Sequence, residues 1–204
     1  MKDKGFSDTV LEYSEAIPHY LKGFPSILKD QRDTLEEIYI LLEESRAVHV
    51  YGKGRSANAA ISLALRLKHF GYNVWFIGDV VKERIRMGDL VILFSGSGET
   101  SDVVDVAKKA KMDDAKVVAI TSYRDSTLAR NSDLILYLPG GLEKRKGWDY
   151  LEAQLTTESV KESIFYGGGE FETIAYLFQE TLVSALGRFK KIPESKVISE
   201  HERD

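Results

Sequence analysis

From residue 48 onward, short apolar runs alternate with segments whose apolar positions recur every three or four residues. Positions 48–51, 73–77, 90–94, 116–120 and 134–138 are runs of four or five, the length of a buried strand and too short for a helix. Between them the spacing predicts helices at 56–70, at 126–130 and after residue 100, where Val103, Val104, Ala107 and Ala110 make one stripe. Two helices are expected before the first strand, at 7–21 and 26–44, the second carrying Ile27, Leu28, Leu35, Ile38, Tyr39 and Leu42. A polar stretch from 139 to 169, with one possible helix at 149–157, precedes a closing helix at 171–189. Strands alternating with helices imply right-handed βαβ units. The expected fold class is therefore α/β, a three-layer sandwich with a five-stranded parallel sheet flanked by helices. One domain spans 1–204, with N-terminal helices at 7–44 and a charged tail at 193–204 whose small apolar patch, Val197 and Ile198, is too little to fold on its own.

The most telling junction follows the third strand. The apolar run 90–94 empties into Ser95-Gly96-Ser97-Gly98-Glu99-Thr100, and a helix begins. Strand, small hydroxylated loop and helix are how backbone N–H groups and a helix N-terminus are aimed at an anion. Glycines allow close approach, and the hydroxyls of Ser95, Ser97 and Thr100 add donors for phosphate oxygens. The same residues also suit an ordinary strand-to-helix turn. Their position beyond the carboxyl end of a buried parallel strand, where open α/β sheets bind ligands, favours the anion. No Gly-Lys-Ser/Thr is present, so this is not a nucleotide P-loop.

A second glycine loop, Gly52-Lys53-Gly54-Arg55-Ser56-Ala57, leaves the first strand. It fits the dinucleotide fingerprint, with Asp79 as the ribose acid, but Asp79 lies 27 residues beyond Gly52 rather than about 20. Two anion loops on neighbouring strands better suit a single phosphosugar, with its phosphate in the serine loop and its hydroxyls elsewhere. Arg55 could attract phosphate or pair with a carboxylate.

Composition narrows the classes further. The net charge of −4 argues against nonspecific nucleic-acid binding. The absence of cysteine excludes disulfides, thiolate metal sites and a cysteine nucleophile. No apolar segment approaches the length of a membrane span or a signal core, so a soluble cytoplasmic protein is expected. The Lys144-Arg145-Lys146 run reads as a solvated loop face. Among the histidines, His49 lies within a strand and reads as structural, and His19 has no supporting context. His69, near a helix C-terminus, suits the dipole there, with a role at a neighbouring active site as the alternative.

Taken together, these residues resemble the sugar isomerase (SIS) domain family, and within it the 6-phospho-3-hexuloisomerases. Beyond the two loops, the matching pieces are 65–74 (Leu-Arg-Leu-Lys-His-Phe-Gly-Tyr-Asn-Val), Gly88-Asp89-Leu90, 107–111, 118–122 and 125–129. The resemblance covers roughly residues 7–203. It implies a five-stranded parallel sheet and a phosphosugar in the serine loop, held by Ser95, Gly96, Ser97, Gly98, Glu99 and Thr100, with Ser56 touching a sugar hydroxyl. It also implies interconversion of D-arabino-3-hexulose 6-phosphate and fructose 6-phosphate by enediol proton transfer, with no cofactor and no metal. No paired CBS modules follow the domain and no helix-turn-helix precedes it, which favours a stand-alone isomerase.

Members of this family usually carry a Pro-Leu-Gly-Thr-Leu-Phe-Glu loop before the last helix, and its Glu is the proposed proton acceptor. Here Tyr166-Gly167-Gly168-Gly169-Glu170-Phe171-Glu172 matches at Gly168, Phe171 and Glu172 but lacks the Pro, Leu and Thr. The resemblance thus assigns the base to Glu172 and leaves Glu170 as a rival. It also aligns His201 with a tail histidine that reaches the active site of another subunit, so a homo-oligomer, dimer or tetramer, is expected. The competing readings are another aldose–ketose isomerase of the same fold, or a noncatalytic phosphosugar-binding regulator that needs no base.

Overall fold

Every residue of Leu90–Phe94 is buried, and this strand (β3) is the centre of a five-stranded sheet. The computed structural model describes residues 5–141 and 164–201. The other strands are β1 (Val48–Gly52), β2 (Val74–Phe76), β4 (Lys116–Thr121) and β5 (Leu134–Tyr137), in the order β2-β1-β3-β4-β5 with every pair parallel. Side chains alternate between the faces. Leu90, Ile92 and Phe94 enter the larger core with Val118 and Ile120 of β4. Val91 and Leu93 enter the smaller one with Val117 and Ala119. A central strand buried on both faces has no polar side to show, which is why it reads as an unbroken apolar run.

Helices α3 (Arg32–Glu44), α4 (Ser56–His69) and α7 (Glu170–Phe189) cover the first face through Ile38, Leu42, Leu63, Leu67, Ile174 and Phe178. Helices α5 (Ser101–Met112) and α6 (Thr127–Arg130) cover the second through Val103, Ala107 and Leu128. The expected three-layer α/β sandwich is the observed one, with strand ends shifted by one or two residues. Helix α1 (Phe6–Leu21) precedes these layers and buries none of its residues. The expected helix at 149–157 and the basic run at 144–146 lie outside the described residues.

Two expectations are corrected. The helix expected at 26–44 is two helices, α2 (Phe24–Lys29) and α3, interrupted at Asp30 and Gln31. The buried Gln31 explains the break. Its amide nitrogen donates to the carbonyl of Tyr137 at 2.9 Å, and its oxygen accepts from the Tyr137 N–H at 2.7 Å. Tyr137 lies on edge strand β5, so the glutamine amide stands in for a missing neighbour strand and satisfies polar groups that burial would make costly.

The tail is likewise ordered, with Glu194–His201 forming helix α8. The chain reverses at Lys191 (φ 53°), and the Ile192 N–H closes the end of α7 on Gly187 O at 2.9 Å. Val197 and Ile198 then share a cleft with Phe70, Val183 and Ile192. The patch is too small to fold alone, but α4 and α7 supply the apolar surface it lacks.

Candidate functional site

Strand order reverses beside β1 and β3, because α4 leaves β1 on one face and α5 leaves β3 on the other. Crevices at such switch points are where open α/β sheets bind ligands. Gly52 pairs with Phe94 at the ends of these strands, so the two glycine loops emerge side by side.

The serine loop is closed on itself. Ser95 Oγ accepts from the Gly98 N–H at 3.2 Å and lies 3.0 Å from Thr100 Oγ1, while Ser97 Oγ accepts from the Glu99 N–H at 3.2 Å. Thr100 is the N-cap of α5 without bonding that helix through its side chain. Gly98 has φ 65°, a conformation that excludes most side chains. At Gly96 a Cβ would lie 2.8 Å from the Phe171 ring, so only glycine lets this loop touch the start of α7. Glu99, expected on the substrate, has its carboxylate accepting the Thr127 N–H of α6 at 2.8 Å.

The second half of the site comes from α4 and α7. Ser56 opens α4, and its hydroxyl donates to Glu172 Oε1 at 3.3 Å. Arg55 Nη2 donates to the carbonyls of Gly167 and Gly168 at 3.2 and 3.0 Å and stands 3.9 Å from Glu172 Oε2. That Oε2 is buried and has no hydrogen-bond partner. A buried carboxylate oxygen without a hydrogen-bond partner can accept a proton or a ligand hydroxyl.

Glu170 faces elsewhere. It accepts a hydrogen bond from Tyr20 of α1, and burial, together with that bond, pushes the tyrosine up to about 12. Of the two glutamates it is Glu172 that lies beside Ser56. Helix α8 packs elsewhere in its own chain. Its residues Val197 and Ile198 lie by Arg66 and Phe70, at the end of α4 remote from Ser56.

Sequence reasoning missed two groups here. Lys53, in the glycine loop after β1, forms an ion pair with Asp102 in the first turn of α5; a lone lysine between two glycines was the available signal. Ser122 accepts from the Gly141 N–H at 2.8 Å, and Tyr123 donates to the Gly141 carbonyl at 2.7 Å, holding the segment after β5 against Gly96. No sequence signal pointed to this pair. His49 is structural: buried in β1, its Nε2 lies 2.9 Å from Asp89 Oδ2 at the opposite end of the strands. Among the described residues no three His, Asp or Glu side chains gather as a metal site, and no helix is long and apolar enough to cross a membrane.

A five-stranded parallel sheet of this order, flanked by helices on both faces, is the fold of the SIS class. The SIS domain pattern matches residues 41–160, and the chain belongs to that family. A protein of Archaeoglobus fulgidus without an assigned function is 32% identical over 94% of this chain and 98% of its own. The 3-hexulose-6-phosphate isomerase of Bacillus subtilis is 31% identical over 77% of this chain and 79% of its own. A solved structure from Methanococcus jannaschii, for which a 3-hexulose-6-phosphate isomerase function was inferred, is 25% identical with a TM-score of 0.71, covering 88% of this chain and 93% of that one.

Proposed function

We propose that this protein interconverts D-arabino-3-hexulose 6-phosphate and fructose 6-phosphate. The observation that carries the reading is the buried Oε2 of Glu172, without a hydrogen-bond partner, on a carboxylate held by Ser56, one residue along α7 from the Phe171 ring that packs on Gly96 of the serine loop. The phosphate sits at residues 95–100, against the N-terminus of α5. Glu172 removes the proton from C2 of the hexulose, the electrons of that bond form the C2–C3 double bond, and the C3 carbonyl becomes an enediolate oxygen. Return of the proton to C3, with transfer of the C2 hydroxyl proton to the C3 oxygen, leaves the carbonyl at C2 and a hydroxyl at C3. Such positioned proton transfer contributes about 10²–10⁴-fold, and binding the unreacting phosphate helps to orient the carbons. Named isomerases among the relatives support the choice of substrate.

His201 completes the site from another subunit in this reading, which makes the working enzyme a homo-oligomer. Its own helix α8 packs by Arg66 and Phe70, at the end of α4 remote from Ser56, and that placement motivates a contribution in trans.

Incubation with fructose 6-phosphate in D₂O tests the reaction. Deuterium should appear at C3, together with the hexulose phosphate, by NMR. Exchange only with pentose phosphates would transfer the site to another aldose–ketose isomerase. Phosphosugar binding without exchange on any of them would mark a noncatalytic regulator.

A further inference from the structure

The serine loop offers a phosphate many donors but no positive charge. Its one ionised side chain, Glu99, is an acid turned to α6. Hydroxyls and N–H groups bind any oxyanion, and selectivity for a dianion calls for a cation. Arg55 is turned to the carbonyls of Gly167 and Gly168 and toward Glu172.

Lys53 is the cation of the loop after β1 that reaches the other way, to α5. At Gly52 a Cβ would lie 2.9 Å from the Ser56 carbonyl oxygen, and Gly54 has φ 61°, so a tight turn fixes the backbone on either side of Lys53. The register of Gly52 with Phe94 sets that turn beside the serine loop. From there the ammonium extends to Asp102, two residues beyond the N-cap Thr100 of the helix whose N-terminus faces the loop. Both side chains are about half exposed, 56% for Lys53 and 44% for Asp102, so the pair is solvated and exchangeable. An ammonium has three donors and can turn to a phosphate while leaving Asp102 or bridging to it.

We propose that Lys53 is a specificity-determining residue that binds the substrate phosphate, and that Asp102 holds it in place before substrate arrives. The assignment rests on the phosphosugar reading given above. Asp102 also repels the incoming dianion, so the pair screens the site against weakly charged sugars and admits those whose phosphate outcompetes one carboxylate.

Calorimetry with fructose 6-phosphate and with fructose, on the full chain, tests this. Lys53→Met should weaken fructose 6-phosphate binding about tenfold, the scale of one charge-assisted hydrogen bond, and flatten its dependence on salt. Lys53→Arg should restore most of the affinity, and Asp102→Asn should tighten it severalfold. In kinetics, Lys53→Met should raise KM and leave kcat within about twofold, as for loss of uniform binding. Wild-type affinity in Lys53→Met, or a loss confined to kcat, would overturn the assignment. Failure of the wild-type protein itself to bind fructose 6-phosphate would overturn the phosphosugar reading, and this assignment with it.

Discussion

Ser56 and Glu172 stand 116 positions apart, yet the serine hydroxyl donates to a carboxylate oxygen of Glu172 at 3.3 Å. Each lies in the first turn of its helix, and α4 and α7 pack side by side on one face of the sheet. The apolar contact between the helices therefore sets the distance between the two polar groups. The bond occupies Oε1 and leaves Oε2 bare.

Glu172→Gln keeps the shape and removes the base, so kcat should fall about 100-fold or more with a modest change in phosphosugar affinity. Glu170→Gln should retain activity, since its carboxylate bonds Tyr20. Steady-state kinetics on the two variants separates them. An inactive Glu170→Gln beside an active Glu172→Gln would reverse the assignment.

Ser97→Ala should weaken phosphosugar binding by about 0.5–3 kcal/mol, the range for lost hydrogen bonds to a charged group. Ser95→Ala should do the same and also lower stability by about 1 kcal/mol, because Ser95 bridges the loop to both Gly98 and Thr100. Calorimetry and urea unfolding measure the two effects independently. Unchanged affinity in both variants would remove the phosphate from this loop.

Asp133 ties the start of β5 to β4, accepting the Val117 N–H at 2.8 Å and pairing with Lys111. Burial pushes its carboxyl up, but the Lys111 and Val117 bonds outweigh that and hold it below the ordinary carboxylate value. A depressed folded pKa stabilises above the unfolded value of about 3.9 and loses that effect as pH falls through the folded value. Asp133→Asn should thus cost about 1–2 kcal/mol at pH 7 and progressively less below about pH 4. Urea midpoints across pH 2–7 give the comparison; a penalty that does not shrink in acid would show that charge is not its source.

The role proposed for His201 in trans predicts complementation. Mixing inactive Glu172→Gln protein with His201→Ala protein under subunit exchange should restore part of the activity, because one composite site in the hybrid is intact. An imidazole of ordinary pKa near 6.5 could shuttle protons between the substrate oxygens near neutrality. A fully active His201→Ala enzyme, or an active monomer by light scattering, would exclude that role.

Much of the architecture is written locally. The buried run at 90–94, the glycines that follow and the stripe of α7 each carry a period or a steric demand that holds whatever the neighbours are. The Gln31 break carries no such mark. Helical spacing continues through it, and bonds to distant residues, Tyr137 at 106 positions and Arg124 at 93, reward leaving the helix. Helix α8 is similar, since Val197 and Ile198 gain their apolar partners only once α4 and α7 have packed.

The sequence by itself determined an α/β sandwich, two glycine loops at neighbouring strand ends and a pair of glutamates at the start of the last long helix. Which glutamate lies beside Ser56, and which cation pairs with the first turn of α5, were decided by the tertiary structure. Residues two apart on a helix point about 200° apart, so Glu170 and Glu172 could not both face Ser56. The packing of α7 against α4 turns Glu172 to that serine and Glu170 to Tyr20 of α1. The pairing of Lys53 with Asp102 likewise depends on β1 and β3 lying side by side, a neighbour relation that the residues between them do not encode.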